Sequence, residues 1–107
     1  MGLFGNLFGG NINELMQEAS QAEGSVVIDV RSPAEFAQGR IAGAINIPVD
    51  RIDAVPNHIS NKETPLYLYC ASGARSASAC RFLQGAGYTN VTNMGGISGW
   101  RGDIERG

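Results

Sequence analysis

The chain is poor in the residues that staple or metallate small domains: its 107 residues include two cysteines and one histidine. Two cysteines cannot build a disulfide framework, and with one histidine they leave no zinc cluster. No metal and no other cofactor is expected. A single Cys70–Cys80 bridge is conceivable, although the spacing matches no C-x-x-C redox pair. Basic residues are also few, eight against ten acidic ones, for a formal net charge of −2. That balance argues against a nucleic-acid partner, which needs clustered Lys and Arg. No apolar run approaches the ~20 residues that cross a bilayer, so no membrane span is expected. The first ten residues lack the basic and apolar regions of a signal peptide, and Asn6 stands where a myristoylation signal has Ser or Thr. The expected setting is a reducing cytoplasm with both thiols free.

Glycine is plentiful, with 15 against four prolines, and implies many tight turns or close backbone approaches. The length fits one domain, and 43% hydrophobic residues suffice for one core. Residues 1–11 read as a Gly/Phe-rich tail or flap and residues 12–107 as the folded domain. In the tail, Leu3, Phe4, Leu7 and Phe8 have helical spacing, but each intervening glycine costs a helix about 1 kcal/mol. A small membrane or partner anchor is the alternative for this segment.

From Asn13 the pattern is helical, with Leu15, Met16 and Ala19 on one face, Asn11 or Asn13 as cap and Gly24 as stop. Val26 to Val30 is β-branched and almost continuously apolar, as in a strand buried on both faces of a parallel sheet. Ser32-Pro33-Ala34-Glu35 reads as a capping box with proline at the first helical position, and Gly39 ends that helix. Ala44 to Pro48 predicts a short strand, and Asp50 caps a brief helix that Pro56 interrupts. Leu66 to Cys70 predicts a strong strand, Ala74 to Gln84 a helix, and Val91 to Met94 a last strand. Gly95-Gly96 then leads into a helical turn ending near Trp100, read as a core anchor. Alternating strands and helices predict an α/β layered domain with a mainly parallel sheet.

Ligands of such sheets bind beyond the carboxyl ends of the strands, which is where Cys70 falls. The small residues of Ala71-Ser72-Gly73-Ala74, with Arg75 and Ser76, let the loop curl so that several N–H groups converge. Those donors and the following helix N-terminus favour negative charge and lower a thiol pKa from about 8.5. This predicts a nucleophilic thiolate cradled by backbone amides. The competing reading of Cys70 is a small core hydrophobe. Cys80, beside Ala77, Ala79 and Phe82, reads as core packing, with a resolving thiol as the alternative. His58, in a polar stretch, reads as exposed.

These residues resemble a single-domain rhodanese over roughly Asn13 to Trp100. Asp29 to Phe36 followed by Gly39 to Pro48 resembles the family's amino-terminal signature. Cys70 to Arg75 resembles its active-site loop, and Gly95 to Trp100 its carboxyl-terminal signature. The resemblance implies a three-layer rhodanese-like fold with helices on both faces of the sheet. It also implies sulfur transfer: the Cys70 thiolate takes a sulfane sulfur from a small donor such as thiosulfate. The resulting persulfide then gives it to a thiophilic acceptor, either a small molecule or a protein. Ala71 to Ser76 would hold the persulfide. Arg75 has two candidate roles, holding loop carbonyls and the helix start or attracting an anionic donor. Ser72 and Ser76 either donate to the sulfur or cap the helix. Asp29 ends a buried strand near the same edge and with Arg31 reads as a supporting structural ion pair, with local scaffolding as the alternative. Arg40 stands where the family usually has His, and Ala71 and Ser72 bring no positive charge to the loop, which counts against thiosulfate as native donor.

Two other functions compete. A Cys-dependent phosphatase or arsenate reductase would place one more residue between Cys and Arg, whereas Cys70 and Arg75 enclose four. A non-enzymatic rhodanese-like docking or sensing module would keep the fold, but such modules generally lose the nucleophile.

Overall fold

The structure is a computed structural model that describes residues 11–107. The expectations for Met1 to Gly10 lie outside the described residues. Asn11 caps helix α1 (Ile12–Gln21) through a complete capping box: its Oδ1 accepts from the N–H groups of Asn13 and Glu14, and Glu14 accepts from Asn11 N–H. Asn13, the alternative cap, instead bridges to the other end of the chain. Its Nδ2 donates to Gly99 O and its Oδ1 accepts from Arg101 N–H, both at 2.9 Å.

Four parallel strands form the central sheet: β1 (Val26–Asp29), β3 (Ile45–Asn46), β4 (Leu66–Cys70) and β5 (Val91–Gly96), in the order β3-β1-β4-β5. Helix α2 (Pro33–Gln38) follows β1 and starts with the expected Ser32–Glu35 capping box. Strand β4 is central, every residue of it is buried, and its alternating side chains feed two cores. Leu66, Leu68 and Cys70 join Ile28, Val30 and the inner face of helix α4 (Ala74–Gly85) on one side. Tyr67 and Tyr69 meet Ile12, Leu15 and Ala19 of α1 on the other. The result is the expected three-layer α/β architecture with a mainly parallel sheet.

Three local expectations are corrected. Asp50 does not cap: the 3-10 segment Val49–Ala54 follows Pro48 without a side-chain cap bond. Pro56 does not interrupt a helix but sits in the first turn of short helix α3 (Val55–His58), where its missing N–H has no partner to lose. Past Trp100, strand β6 (Ile104–Glu105) pairs antiparallel with β2 (Arg40–Ile41) as a separate two-stranded sheet. Arg40 belongs to this pairing: it stacks on Phe36 and donates to Phe36 O and Gly107 O. His58 is exposed, and Trp100 packs partly buried against the α1-side core.

Candidate active site

The site begins where β4 ends. Cys70 is the last residue of that fully buried strand, and the chain turns through Ala71–Gly73 into α4. Gly73 makes the turn possible by taking φ +103°, the left-handed region that side chains avoid. Conformation and not space requires the glycine, since a Cβ at Gly73 would meet Gly95 Cα at 3.5 Å, an ordinary contact. The glycine crowded by the loop is Gly96: a Cβ there would lie 2.5 Å from Ala71 O, so β5 presses its bare backbone against the loop.

The loop closes on the sulfur. Gly73 N–H donates to Cys70 Sγ at 2.9 Å and Ser76 N–H at 3.4 Å, while Ser76 Oγ lies 3.4 Å from Sγ. Cys70 has no exposed surface. Burial alone pushes its thiol up, but the Ser76 hydroxyl and the N–H groups of Ser76, Gly73 and Ser72 outweigh burial and leave the thiol below its ordinary value. Cys80, in the same core on α4, has burial without such donors, and its thiol is pushed up to about 12. Both cysteines are free.

Arg75 bonds no loop carbonyl among the described residues. Its guanidinium makes a two-pronged pair with Glu35, Nη1 to Oε1 at 2.8 Å and Nη2 to Oε2 at 3.0 Å, tying α4 to α2. Arg75 beside it, helped by Ser32 N–H, holds the Glu35 carboxyl down to about 2. Glu35 thus serves the capping box and the active-site helix together. Asp29 and Arg31 form the expected ion pair, buried and two-pronged, and Arg31 Nη2 also donates to Gly39 O. The pair lies at the carboxyl end of β1, beside Tyr69 of β4. Ser76 does not cap α4, because its Oγ turns to Gly73 O and to Asn93 Oδ1. Asn93, on β5, carries no site signal in the sequence, where it stands among Thr92, Met94 and the Gly95-Gly96 turn. Ser72 and Ala74 are exposed on the loop.

Beside the loop runs a groove of about 810 Å³, lined by Ala71, Ser72, Gly96, Ser98, Asn13 and Arg101 among others. Arg101 is its one cation, and its side chain enters no ion pair among the described residues.

A parallel α/β sheet that ends a central strand on a cysteine, with loop amides turned onto one sulfur, defines a cysteine-loop domain. A family model described as rhodanese-like domain matches residues 12–103, and the chain belongs to that family. A sulfurtransferase of Allochromatium vinosum is 40% identical over 87 residues, covering 80% of this chain and 80% of that protein. Thiosulfate sulfurtransferase PspE of Escherichia coli is 37% identical over 71 residues, 65% of this chain and 68% of that protein. The solved structure described as rhodanese with anions from E. coli matches with a TM-score of 0.73 at 32% identity, covering 78% of this chain and 99% of that one.

Proposed function

We propose that the protein is a sulfurtransferase that carries sulfane sulfur on Cys70 as a persulfide. The observation that carries the reading is the convergence on one sulfur: the Gly73 and Ser76 N–H groups donate to Sγ, and the Ser76 hydroxyl oxygen stands 3.4 Å from it. In the first half-reaction the thiolate attacks the outer sulfur of thiosulfate. The S–S bond of the donor breaks, its electron pair leaves with sulfite, and a Cys70 persulfide anion remains. In the second, cyanide or a thiol-type acceptor attacks the outer sulfur and the thiolate returns. Splitting the transfer in this way is covalent catalysis with ping-pong kinetics. The loop amides act as fixed dipoles where negative charge resides.

Donor entry fits the groove beside Ala71 and Ser72. Arg75 is committed to Glu35, so the cation that remains for an anionic donor is Arg101. The groove is far larger than one thiosulfate ion, which suits a bulkier persulfide or the cysteine of a protein acceptor. Free Cys70 and Cys80 support a reducing, cytoplasmic setting.

The complete burial of Cys70 favours a second reading, a rhodanese-like docking module whose loop stays shut. Intact mass spectrometry after thiosulfate treatment separates the two. Gain of one sulfur atom, absent in Cys70→Ser, supports the enzyme; no gain from thiosulfate or from glutathione persulfide favours the module. Release of phosphate from an aryl phosphate in place of sulfur uptake would overturn both.

A further inference from the structure

The Ser76 hydroxyl faces three acceptors with one proton. Ser76 has no exposed surface, and its Oγ lies 2.7 Å from Asn93 Oδ1, 3.1 Å from Gly73 O and 3.4 Å from Cys70 Sγ. A hydroxyl donates once. The contact to Asn93 is the shortest and has the ordinary length of an O–H···O bond. With the proton there, only lone pairs of Oγ face the sulfur. A protonated Cys70 accommodates this, because its S–H can donate to Ser76 Oγ. An ionised Cys70 does not, because a thiolate needs donors.

The carboxamide cannot be turned end for end without loss. Asn93 Oδ1 also accepts from Gly95 N–H at 2.9 Å, and Nδ2 faces Gly73 O at 3.4 Å. Reversal would set an NH₂ group against the Gly95 N–H and an oxygen against the Gly73 carbonyl. The backbone of β5 therefore fixes the acceptor end of Asn93 toward Ser76.

The charged groups around Cys70 leave this proton as the adjustable element. Arg75 of α4 is paired with Glu35 of α2, and Asp29 at the end of β1 with Arg31. Cys80 of α4 stays protonated. Strand β5 carries no titratable side chain, and Asp50, Arg51 and Asp53 of the 3-10 segment are exposed.

We propose that Asn93 is a positioning residue for Cys70: its carboxamide oxygen holds the single Ser76 proton away from the sulfur, so that ionisation of the thiol requires the hydroxyl to turn from Asn93 to Sγ. No covalent bond changes in that turn. The Cys70 proton leaves to solvent, the Ser76 hydroxyl rotates, and Asn93 Oδ1 keeps the Gly95 N–H. The inference rests on Cys70 as the reacting thiol of the proposed function and adds the residue that sets its readiness.

The test follows Cys70 ionisation in the full-length protein by thiolate absorbance and by the pH midpoint of alkylation with iodoacetamide. Asn93 is exposed, so its truncation leaves the core intact. Asn93→Ala frees the Ser76 proton and raises the thiolate fraction below the midpoint about 3- to 10-fold, the size of one hydrogen bond. Asn93→Asp adds a stronger acceptor and a negative charge, and shifts the midpoint upward. In a Ser76→Ala background, Asn93→Ala has no effect. A purely structural Asn93 predicts the reverse sign, because releasing Gly73 and Gly95 would loosen the amide cradle. A midpoint that rises or stays fixed in Asn93→Ala, or a downward shift that survives Ser76→Ala, would overturn the proposal. None of these readouts requires sulfur transfer. A chain that shows the shift yet takes up no sulfur would sink the sulfurtransferase reading alone.

Discussion

Replacing Gly96 with alanine tests whether the loop around Cys70 is placed by the strand behind it. The added Cβ would lie 2.5 Å from Ala71 O, 3.0 Å from Ser72 Cα and 3.2 Å from Ala71 C, all backbone atoms that no rotamer change can move. An ordinary contact starts at about 3.4 Å, so the Ala71 peptide must retreat by about 0.9 Å. Strand β5 cannot yield instead without giving up its register, in which Gly96 stands opposite Cys70. The loop therefore moves, and the 2.9 Å bond from Gly73 N–H to Sγ lengthens or breaks. Overpacking of this kind costs roughly 1–3 kcal/mol, and each kcal/mol lowers the melting temperature of a domain this size by about 4–8 °C. A reacting group misplaced by about 1 Å loses on the order of 100-fold in rate. Thiocyanate production from thiosulfate and cyanide, beside thermal melts, reads both effects. The expected outcome is a folded but less stable protein whose kcat is about 10- to 100-fold lower. Gly99→Ala is the control, because its Cβ would meet Ile12 Cγ2 at 3.9 Å and displace nothing. Wild-type turnover and melting in Gly96→Ala would refute the argument, since they would mean that the loop has room the packing denies.

Other expectations follow from the ion pairs and the groove. Asp29→Ala strands the buried Arg31 guanidinium and is expected to cost about 3–5 kcal/mol in urea unfolding; a loss under about 1 kcal/mol would mean that water reaches the site. The Glu35 carboxyl sits at about 2 in the fold against an ordinary 4.5, so its pair with Arg75 stabilises the protein above about pH 4.5 and is lost as pH falls toward 2. Both partners are more than a third exposed, so the contribution is about 1 kcal/mol or less, and the stability gap between wild type and Glu35→Gln closes in acid. A gap that persists at pH 2 would count against the pair. Arg101→Gln is expected to raise the thiosulfate KM about 3- to 10-fold with kcat unchanged, to make KM less sensitive to salt, and to be partly reversed in Arg101→Lys. An unchanged KM would remove Arg101 from donor binding.

The sequence carried most of the fold because its strongest signals are local. The nearly continuous apolar runs of β1 and β4 announce strands covered on both faces, and the Ser32–Glu35 box marks the start of α2 at its residue. Cys70 and its loop were legible because position at the strand end, small residues and Gly73 agree. What stayed hidden depends on contacts far apart in the chain. Glu35 and Arg75 are 40 residues apart and Ser76 and Asn93 are 17 apart, and no periodicity links either pair. Gly96 looked like a turn residue, whereas its role is the closeness of Ala71, a distance no local pattern contains. β6 escaped notice because two exposed residues in a polar end have no apolar alternation to show.

The charges around Cys70 are arranged so that they cancel before they reach it. Arg75, the cation nearest the loop in sequence, is neutralised by Glu35, and Asp29 by Arg31. The sulfur is left facing dipoles: Gly73 N–H, Ser76 N–H and one hydroxyl whose direction Asn93 contests. Dipoles held by backbone suit a centre that alternates, on the proposed route, between thiolate and persulfide, each carrying one negative charge. A guanidinium against the sulfur would hold either anion more tightly and weaken it as a nucleophile, since nucleophilicity falls with the pKa of the thiol. Fixed amides stabilise the charge without a counter-ion to follow it, and require little rearrangement between the half-reactions. On the same proposed route cationic recognition falls to the groove, where Arg101 would attract an anionic donor without lowering the reactivity of the sulfur.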